Sequence, residues 1–446
     1  MQVVILAGGK GTRMGELAGQ LPKPMIPIAG KPILQYQIEL ARRFQCTEIL
    51  LLTGHLGETI EDHFGDGSDW GVHIQYHRED RPLGTAGALR EVEDRLADDF
   101  LVFYGDIVMD VDLDALGAFH AERRPLATLV VHPNNHPYDS DLLEIDEEGR
   151  VVAFHPKPHD PQRYYRNLVN AALYVLSPDI LRQIPKGRFA DLGRDVFPKL
   201  VSDGRPLLGY STPEYITDVG TPERLAEVGI DVRCGKVARL NRRNRRRAIF
   251  LDRDGVLNIE RDHLTRAEQL ELLPGAAEAV RLINRSEYLA VVVSNQPAIA
   301  KGFTSQQELD RIHARLETLL GAQRAYLDRI YYCPHHPEKG FPGERPEYKI
   351  ACECRKPAPG MILRAAAELN VDLKGSLMIG DRTADILAGR RAGLKTILVR
   401  TGYGGNDDKY PCRPDFTFDD LLQAADFVIH RHGRPADTAQ PHLSKG

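Results

Sequence analysis

The stretch "FLDRDGVLN" at residues 250–258 delivers two aspartates, Asp252 and Asp254, to a glycine turn at the end of an aliphatic run. Carboxylates two positions apart on a strand point the same way, so at its end they can meet one phosphate from two sides. Asp252 is then placed to attack phosphorus and form an aspartyl phosphate. Asp254 is placed to protonate the leaving oxygen and later to activate water. An ordinary Asp-Gly turn explains Asp254 and Gly255 but not the polar residues that end three later segments. Ser294 in "VVVSNQ" can hydrogen-bond a phosphoryl oxygen, Lys356 in "CRKP" can pair with the transferred charge, and Asp381 in "MIGDRTAD" can complete a Mg²⁺ site with Asp252.

Three of the six cysteines cluster just upstream of Lys356, as Cys333-x-His335 and Cys352-x-Cys354. Three thiolates and one imidazole make a closed tetrahedral zinc site of the structural kind, with His336 as the alternative to His335. The loop between the pairs is rich in Pro, Gly and charge and has little core of its own, so the metal would hold it.

A second phosphate-handling pattern opens the chain. In "LAGGKGTRMG" a strand runs into successive glycines whose N–H groups can wrap a polyphosphate, and Arg13 and then Lys23 in "LPKPM" add cations. A plain strand–helix turn would not need them.

Short aliphatic runs alternating with amphipathic stretches must position these residues. The alternation covers residues 1–230 and restarts at 248–430, which predicts two doubly wound, Rossmann-like α/β domains with ligands at the carboxyl ends of their strands. Between them, 231–247 holds six arginines in its last nine residues and reads as a solvated, self-repelling basic linker. Residues 431–446 read as a polar tail.

The composition fits this division. A chain of 446 residues has room for two or three domains, and 42% hydrophobic with 27% charged residues is ordinary for a globular protein. A net charge of −5 gives no basic field for nucleic acid, and no apolar run approaches the ~20 residues of a membrane span. "MQVVILAGG" reads as a first buried strand rather than a leader, and the clustered cysteines favour a metal site in the cytoplasm over a disulfide framework.

Over residues 1–230 the motifs "LAGGKGTRM" and "LPKPMIPIAGKPIL" resemble the sugar nucleotidyltransferases, whose domain is GT-A-like. The resemblance implies that Gly8, Gly9 and Gly11 bind triphosphate, Arg13 stabilises leaving pyrophosphate and Lys23 neutralises the reacting phosphates. It further implies that "PLGTAGAL", with Gly84, recognises the base, that Asp106 and Asp218 hold Mg²⁺, and that Glu144, Lys157 and Asn170 contact the sugar phosphate. Pro156 and Ala172 depart from the family's usual Glu and Gly. "LGTAGAL" is most similar to guanylyltransferases acting on manno-configured sugars, which implies GTP as a substrate.

"FLDRDGVLN" and the later motifs at Ser294, Lys356 and Asp381 resemble the haloacid-dehalogenase (HAD) phosphatases, which implies Mg²⁺ at Asp252, Asp254 and Asp381. The zinc loop narrows the resemblance to the heptose 1,7-bisphosphate 7-phosphatases and the related histidinol-phosphate phosphatases. It implies His335 as the fourth zinc ligand and Asn295, Gln296, Arg355 and Arg382 as contacts to phosphate or sugar. Pro297-Ala298 replaces the family's usual Ser-Gly. Together the halves imply two successive steps toward a nucleotide-activated heptose. Two alternatives stand beside this: a mannose-1-phosphate guanylyltransferase fused to a phosphatase for another small ester, and a fusion in which one half only binds.

Overall fold

The computed structural model describes residues 1–9, 21–96, 98–407 and 409–432. Gly11 and Arg13 of the glycine loop, and the polar tail from residue 433, lie outside them. The chain divides into two compact units, Met1–Arg245 and Arg246–Gly446.

In the first unit, strand Gln2–Leu6 lies between Glu48–Thr53 and Phe100–Tyr104 and parallel to both, and His73–Arg78 pairs in parallel with Glu48–Thr53. Helices Ile33–Arg43, Gly57–Phe64 and Gly84–Glu91 make the crossovers. Helices on both faces bury both sides of these strands: Val3 and Ile5 join one core, Val4, Leu50 and Val102 the other. This half is the expected doubly wound layout.

Beyond Tyr104 the sheet turns mixed. Val169–Leu176 runs antiparallel to Phe100–Tyr104 and to Ala127–His132, and Leu142–Ile145 pairs antiparallel with Val151–His155. Only the turn 146–150 joins the last two, too short for the crossover that a parallel pair requires. A separate two-stranded ladder, Ile107–Asp110 against Tyr215–Asp218, sets Asp218 opposite Ile107, and Val219 N–H donates to Asp106 O at 2.8 Å. Two carboxylates 112 positions apart in the chain thereby reach the same place.

The stretch 231–247 is not the extended linker its arginines predict. Helix Pro222–Arg233 runs into it and a short helix, Lys236–Arg239, comes next. Arg242 donates to the Tyr210 hydroxyl at 2.8 Å, Arg243 pairs with Asp112 and Asp114, and Asn241 donates to Asp110 at 2.6 Å. Arg246, buried in the second unit, donates to Leu369 O at 2.9 Å. These arginines have acceptors within their own units, so the repulsion that would extend the segment is neutralised.

The second unit is built on six parallel strands in the order Arg329–Cys333, Tyr288–Asn295, Arg247–Leu251, Leu377–Gly380, Lys395–Val399, Phe416–Phe418. The order reverses between Arg247–Leu251 and Leu377–Gly380, and ligands of such sheets bind outside the carboxyl ends at that switch point. Asp252 and Asp381 come directly after those two strands. Among the described residues no helix is long and apolar enough to cross a membrane.

Candidate active sites

At the switch point of the second unit, Asp252 N–H donates to Ile379 O at 3.0 Å, tying the end of one strand to its neighbour. Helix Thr383–Arg391 then brings Asp385 up beside Asp381. Asp252, Asp381 and Asp385 are all buried, with one carboxylate oxygen of each within 4.8 Å of the others. Lys356 Nζ lies 2.9 Å from Asp252 and 2.6 Å from Asp385. One ammonium does not balance three buried carboxylates. Burial first, and repulsion from Asp385 and Asp252 second, push Asp381 up to about 9; burial and Asp252 push Asp385 up to about 6.

The cluster fits a hard divalent cation. Asp381 Oδ2 accepts from Tyr403 N–H at 2.8 Å, while Oδ1 has no hydrogen-bond partner among the described residues. Excess negative charge, an unsatisfied buried oxygen and an all-oxygen donor set are what Mg²⁺ coordination needs. Backbone closes tightly around the group: a Cβ on Gly255 or Gly402 would stand 2.3 or 2.2 Å from Asp381 Oδ2.

Asp385 thus takes the place in this cluster that was expected of Asp254. The Asp254 carboxylate is held instead by Arg253 at 2.8 Å, Asn258 at 2.9 Å and Gln296 at 2.9 Å. Burial disfavours its charge, but these partners outweigh burial and hold it below the usual carboxylate range. Asp385 escaped the sequence reading because Asp381 precedes the helix and no helical spacing relates the two; the turn at Arg382, whose N–H donates to Asp385 Oδ2 at 3.0 Å, brings them together.

The other residues singled out for this site fall around it. Ser294 Oγ accepts from Gln296 Nε2 at 2.9 Å. Asn295 donates to Lys356 O and accepts from Lys356 N–H, both at 3.0 Å. Arg355 donates to His335 O at 3.2 Å, and Arg382 pairs with Glu260 at 3.0 Å. Asp252, Asp254, Ser294, Asn295, Arg355, Lys356 and Arg382 line one cavity of about 120 Å³, and Gln296 braces Asp254 and Ser294 beside it.

Immediately before Arg355, Cys333, His335, Cys352 and Cys354 converge. Their sulfurs lie 3.1 to 3.5 Å apart, and His335 Nδ1 lies 3.7 Å from Cys333 Sγ and 3.3 Å from Cys354 Sγ. Three sulfurs and one imidazole nitrogen gathered on one point are the donor set of tetrahedral zinc, whose S–S edges at ordinary bond lengths are about 3.8 Å, so the sulfurs need to part by only a few tenths of an ångström to hold the ion. His336 is not in the cluster; its Nε2 faces Glu338 at 3.8 Å.

In the first unit two adjoining cavities share Tyr104 and Asp106. One, of about 250 Å³, is lined by Gly8, Gly9, Lys23, Glu79, Gly84, Thr85 and Phe189 among others. Lys23 pairs with Asp106. Glu79 goes unnoticed in the sequence because a lone acidic residue before "RPLGTAG" carries no pattern. Its Oε1 accepts from Leu83 N–H at 3.1 Å, and burial raises its pKa.

The second cavity, of about 220 Å³, is lined by Asp106, Asp141, Lys157, Asn170, Asp218 and Arg224, with His132 beneath. Arg224 grips both Asp218 oxygens at 2.9 and 2.7 Å and Lys23 pairs with Asp106, so these two of the cavity's carboxylates each hold a cation of the chain's own. Two such carboxylates on one cavity are a fit donor pair for Mg²⁺. Burial, helped by the charge of His136, pushes His132 down to about 3, leaving a neutral imidazole. Glu144 is not among the lining residues; it pairs with His155 at 3.0 Å and Arg163 at 2.5 Å, and Asp141 supplies the carboxylate. Ala172, at the departure from glycine, adopts φ +51° on the cavity wall.

Comparison with known proteins matches residues 2–233 to the nucleotidyl transferase family and 353–424 to the HAD-hydrolase-like family. Over 234 residues the chain is 37% identical to the mannose-1-phosphate guanylyltransferase of Mycobacterium tuberculosis, covering 52% of this chain and 64% of that protein, so it spans less than two thirds of that relative. Over 159 residues it is 43% identical to the D-glycero-beta-D-manno-heptose-1,7-bisphosphate 7-phosphatase of Pasteurella multocida, covering 35% of this chain and 83% of that one. Over 190 residues it is 38% identical to the D-glycero-D-manno-heptose-1,7-bisphosphate 7-phosphatase of Thermosynechococcus vestitus, covering 41% and 95%. The chain therefore belongs to the nucleotidyl transferase family through its first unit and to the family of these heptose bisphosphate phosphatases through its second, and joins the two families in one chain.

Proposed function

We propose that the second unit removes the 7-phosphate of D-glycero-D-manno-heptose 1,7-bisphosphate, and that the first couples the heptose 1-phosphate so formed to GMP from GTP, releasing pyrophosphate. The observation that carries this reading is the buried trio Asp252, Asp381 and Asp385 closed by Lys356, on a chain whose other unit faces Asp106 and Asp218 into a cavity beside one lined by Gly8, Gly9 and Lys23. The product of one site is a sugar phosphate of the kind the other family consumes. Both sites handle soluble phosphates, in keeping with the cytoplasm.

Mg²⁺, held by the trio in one unit and by Asp106 and Asp218 in the other, would screen the charge between reacting phosphates. In the phosphatase, Asp252 attacks phosphorus, the phosphorus–sugar oxygen bond breaks, and Asp254 gives the leaving oxygen its proton. The partners of Asp254 favour its charged form, so the entering phosphate, by adding negative charge beside it, supplies the bias toward protonation. Lys356 and the Ser294 hydroxyl then hold the transferred group while Asp254 takes a proton from the water that cleaves the aspartyl phosphate.

In the transferase, Gly8, Gly9 and Lys23 take the triphosphate and Lys157 and Asn170 the sugar phosphate, whose oxygen attacks the α-phosphorus as pyrophosphate leaves. Glu79 favours guanine, because one carboxylate can accept from both N1–H and N2–H₂ on one edge of that base, whereas uracil offers one N–H.

The test supplies each anomer of the heptose bisphosphate, and histidinol phosphate in parallel, with Mg²⁺ and each nucleoside triphosphate in turn, and tracks phosphate, pyrophosphate and nucleotide sugar by mass spectrometry. GDP-heptose is the expected product. Phosphate release without nucleotide sugar would sink the transferase step. Preferential hydrolysis of histidinol phosphate would sink the heptose assignment.

A further inference from the structure

The lining of the nucleotide cavity is of two chemical kinds: Gly8 and Gly9 offer bare backbone and Lys23 and Asp106 charge, whereas Leu6, Leu52, Pro82, Ala88 and Phe189 are apolar. Phe189 is anomalous there: a large aromatic residue left 56% exposed. Its loop is nevertheless fixed. Ala190 N–H donates to Leu83 O at 2.9 Å, Ala190 O accepts from Ala86 and Gly87 N–H at 2.9 and 3.1 Å, and Arg81 donates to Gly187 O at 2.9 Å. The loop is thus fastened to the start of helix Gly84–Glu91, and the ring is presented rather than free to fold away.

Two contacts define how the ring is set. Arg194 lies over it with its guanidinium carbon 5.4 Å from the centroid. Gly84, at φ +75°, abuts it so closely that a Cβ there would stand 3.1 Å from Phe189 Cζ and 2.5 Å from Ala190 O. Glu79 holds the residue before Gly84, its Oε1 accepting from Leu83 N–H at 3.1 Å. A hydrogen-bonding carboxylate and an exposed aromatic ring therefore brace successive residues, Leu83 and Gly84, and line the same cavity.

We propose that Phe189 is the stacking platform for the nucleobase, with Arg194 covering the ring and Glu79 reading the base edge. The assignment rests on the transferase reading and adds to it a residue that supplies affinity without selecting the base. Every nucleobase has a π face, so a platform is tolerant where a hydrogen-bonding edge is not.

The experiment measures binding of Mg²⁺ complexes of GTP, ATP and UTP, and of tripolyphosphate, to the full-length protein and to Phe189→Ala by calorimetry without sugar phosphate. Phe189→Ala is expected to weaken every nucleotide by a similar factor, on the order of tenfold. Tripolyphosphate, which has no base, is expected to bind as before, and that separates lost stacking from damage to the fold. In Phe189→Trp, GTP is expected to quench an indole signal that the wild type, with its single Trp70, does not show. Unchanged nucleotide affinity in Phe189→Ala, equal loss for tripolyphosphate, or an indole that GTP leaves untouched would each overturn the proposal. If the wild type bound no nucleotide, the transferase reading itself would fail instead.

Discussion

Asn295 clasps Lys356 by its backbone: the amide nitrogen donates to Lys356 O and the amide oxygen accepts from Lys356 N–H, each at 3.0 Å. Asn295 ends strand Tyr288–Asn295 and pairs in register with Cys333, the first thiol of the cysteine cluster. Lys356 stands two residues beyond Cys354, the last thiol. The lysine that faces Asp252 is therefore fixed from two sides, by an amide on the sheet and by the cysteine loop.

Asn295→Ala removes both bonds of the clasp while leaving the charge of Lys356. At about 1 kcal/mol for each bond, phosphatase kcat is expected to fall roughly thirtyfold. Transferase activity and zinc content, measured on the same preparation, are expected to stay at wild-type values. A phosphatase rate within twofold of wild type would show that the clasp does not position Lys356.

Removal of zinc, by chelation or by Cys354→Ser, is expected to loosen the loop that carries Arg355 and Lys356. The expected signature is a selective one: the thermal transition of the second unit falls by several degrees and phosphatase activity is lost, with nucleotidyl transfer retained. Calorimetry with metal analysis by mass spectrometry checks it. Equal loss in both units would count against a staple local to the phosphatase.

The carboxylate trio gives the metal-free second unit an inverted pH dependence. Asp381, up to about 9, and Asp385, up to about 6, bind protons more tightly folded than unfolded, where both titrate near 3.8. Between those limits the folded state holds more protons, so stability is highest below about pH 4 on this account and declines as pH rises toward 9. Mg²⁺ binds the ionised form and offsets that decline. Denaturant titrations from pH 5 to 9, with and without Mg²⁺, are expected to show a stabilisation by Mg²⁺ that grows with pH. A constant increment would contradict the burial-driven shifts.

Ala172 holds φ +51° on the wall of the sugar cavity, where a side chain in the left-handed region costs about 1 kcal/mol that glycine avoids. Ala172→Gly is expected to raise the melting temperature of the first unit by a few degrees. Because the wall gains freedom, KM for the sugar phosphate is expected to change more than kcat. A lower melting temperature would mean that the methyl group contributes packing that outweighs the backbone strain.

Much of this protein is decided locally, and there the sequence suffices. Asp252, Asp381 and Ser294 sit where aliphatic strands end, and parallel sheets place ligands there, so type and position together mark the residues. The cysteine spacing likewise brings two short pairs to one ion. What the tertiary structure decided are relations between distant segments and the direction of side chains. Asp385 enters the carboxylate cluster and Asp254 leaves it because Arg253, a neighbour in sequence that is wholly buried, claims the Asp254 carboxylate. Glu144 yields to Asp141 because His155, across the hairpin, pairs with it. The arginine run folds rather than extends because carboxylates about 130 positions earlier, at Asp112 and Asp114, take up Arg243. A sequence reports the charge of each residue, but the partner that neutralises it is fixed only when the chain has packed.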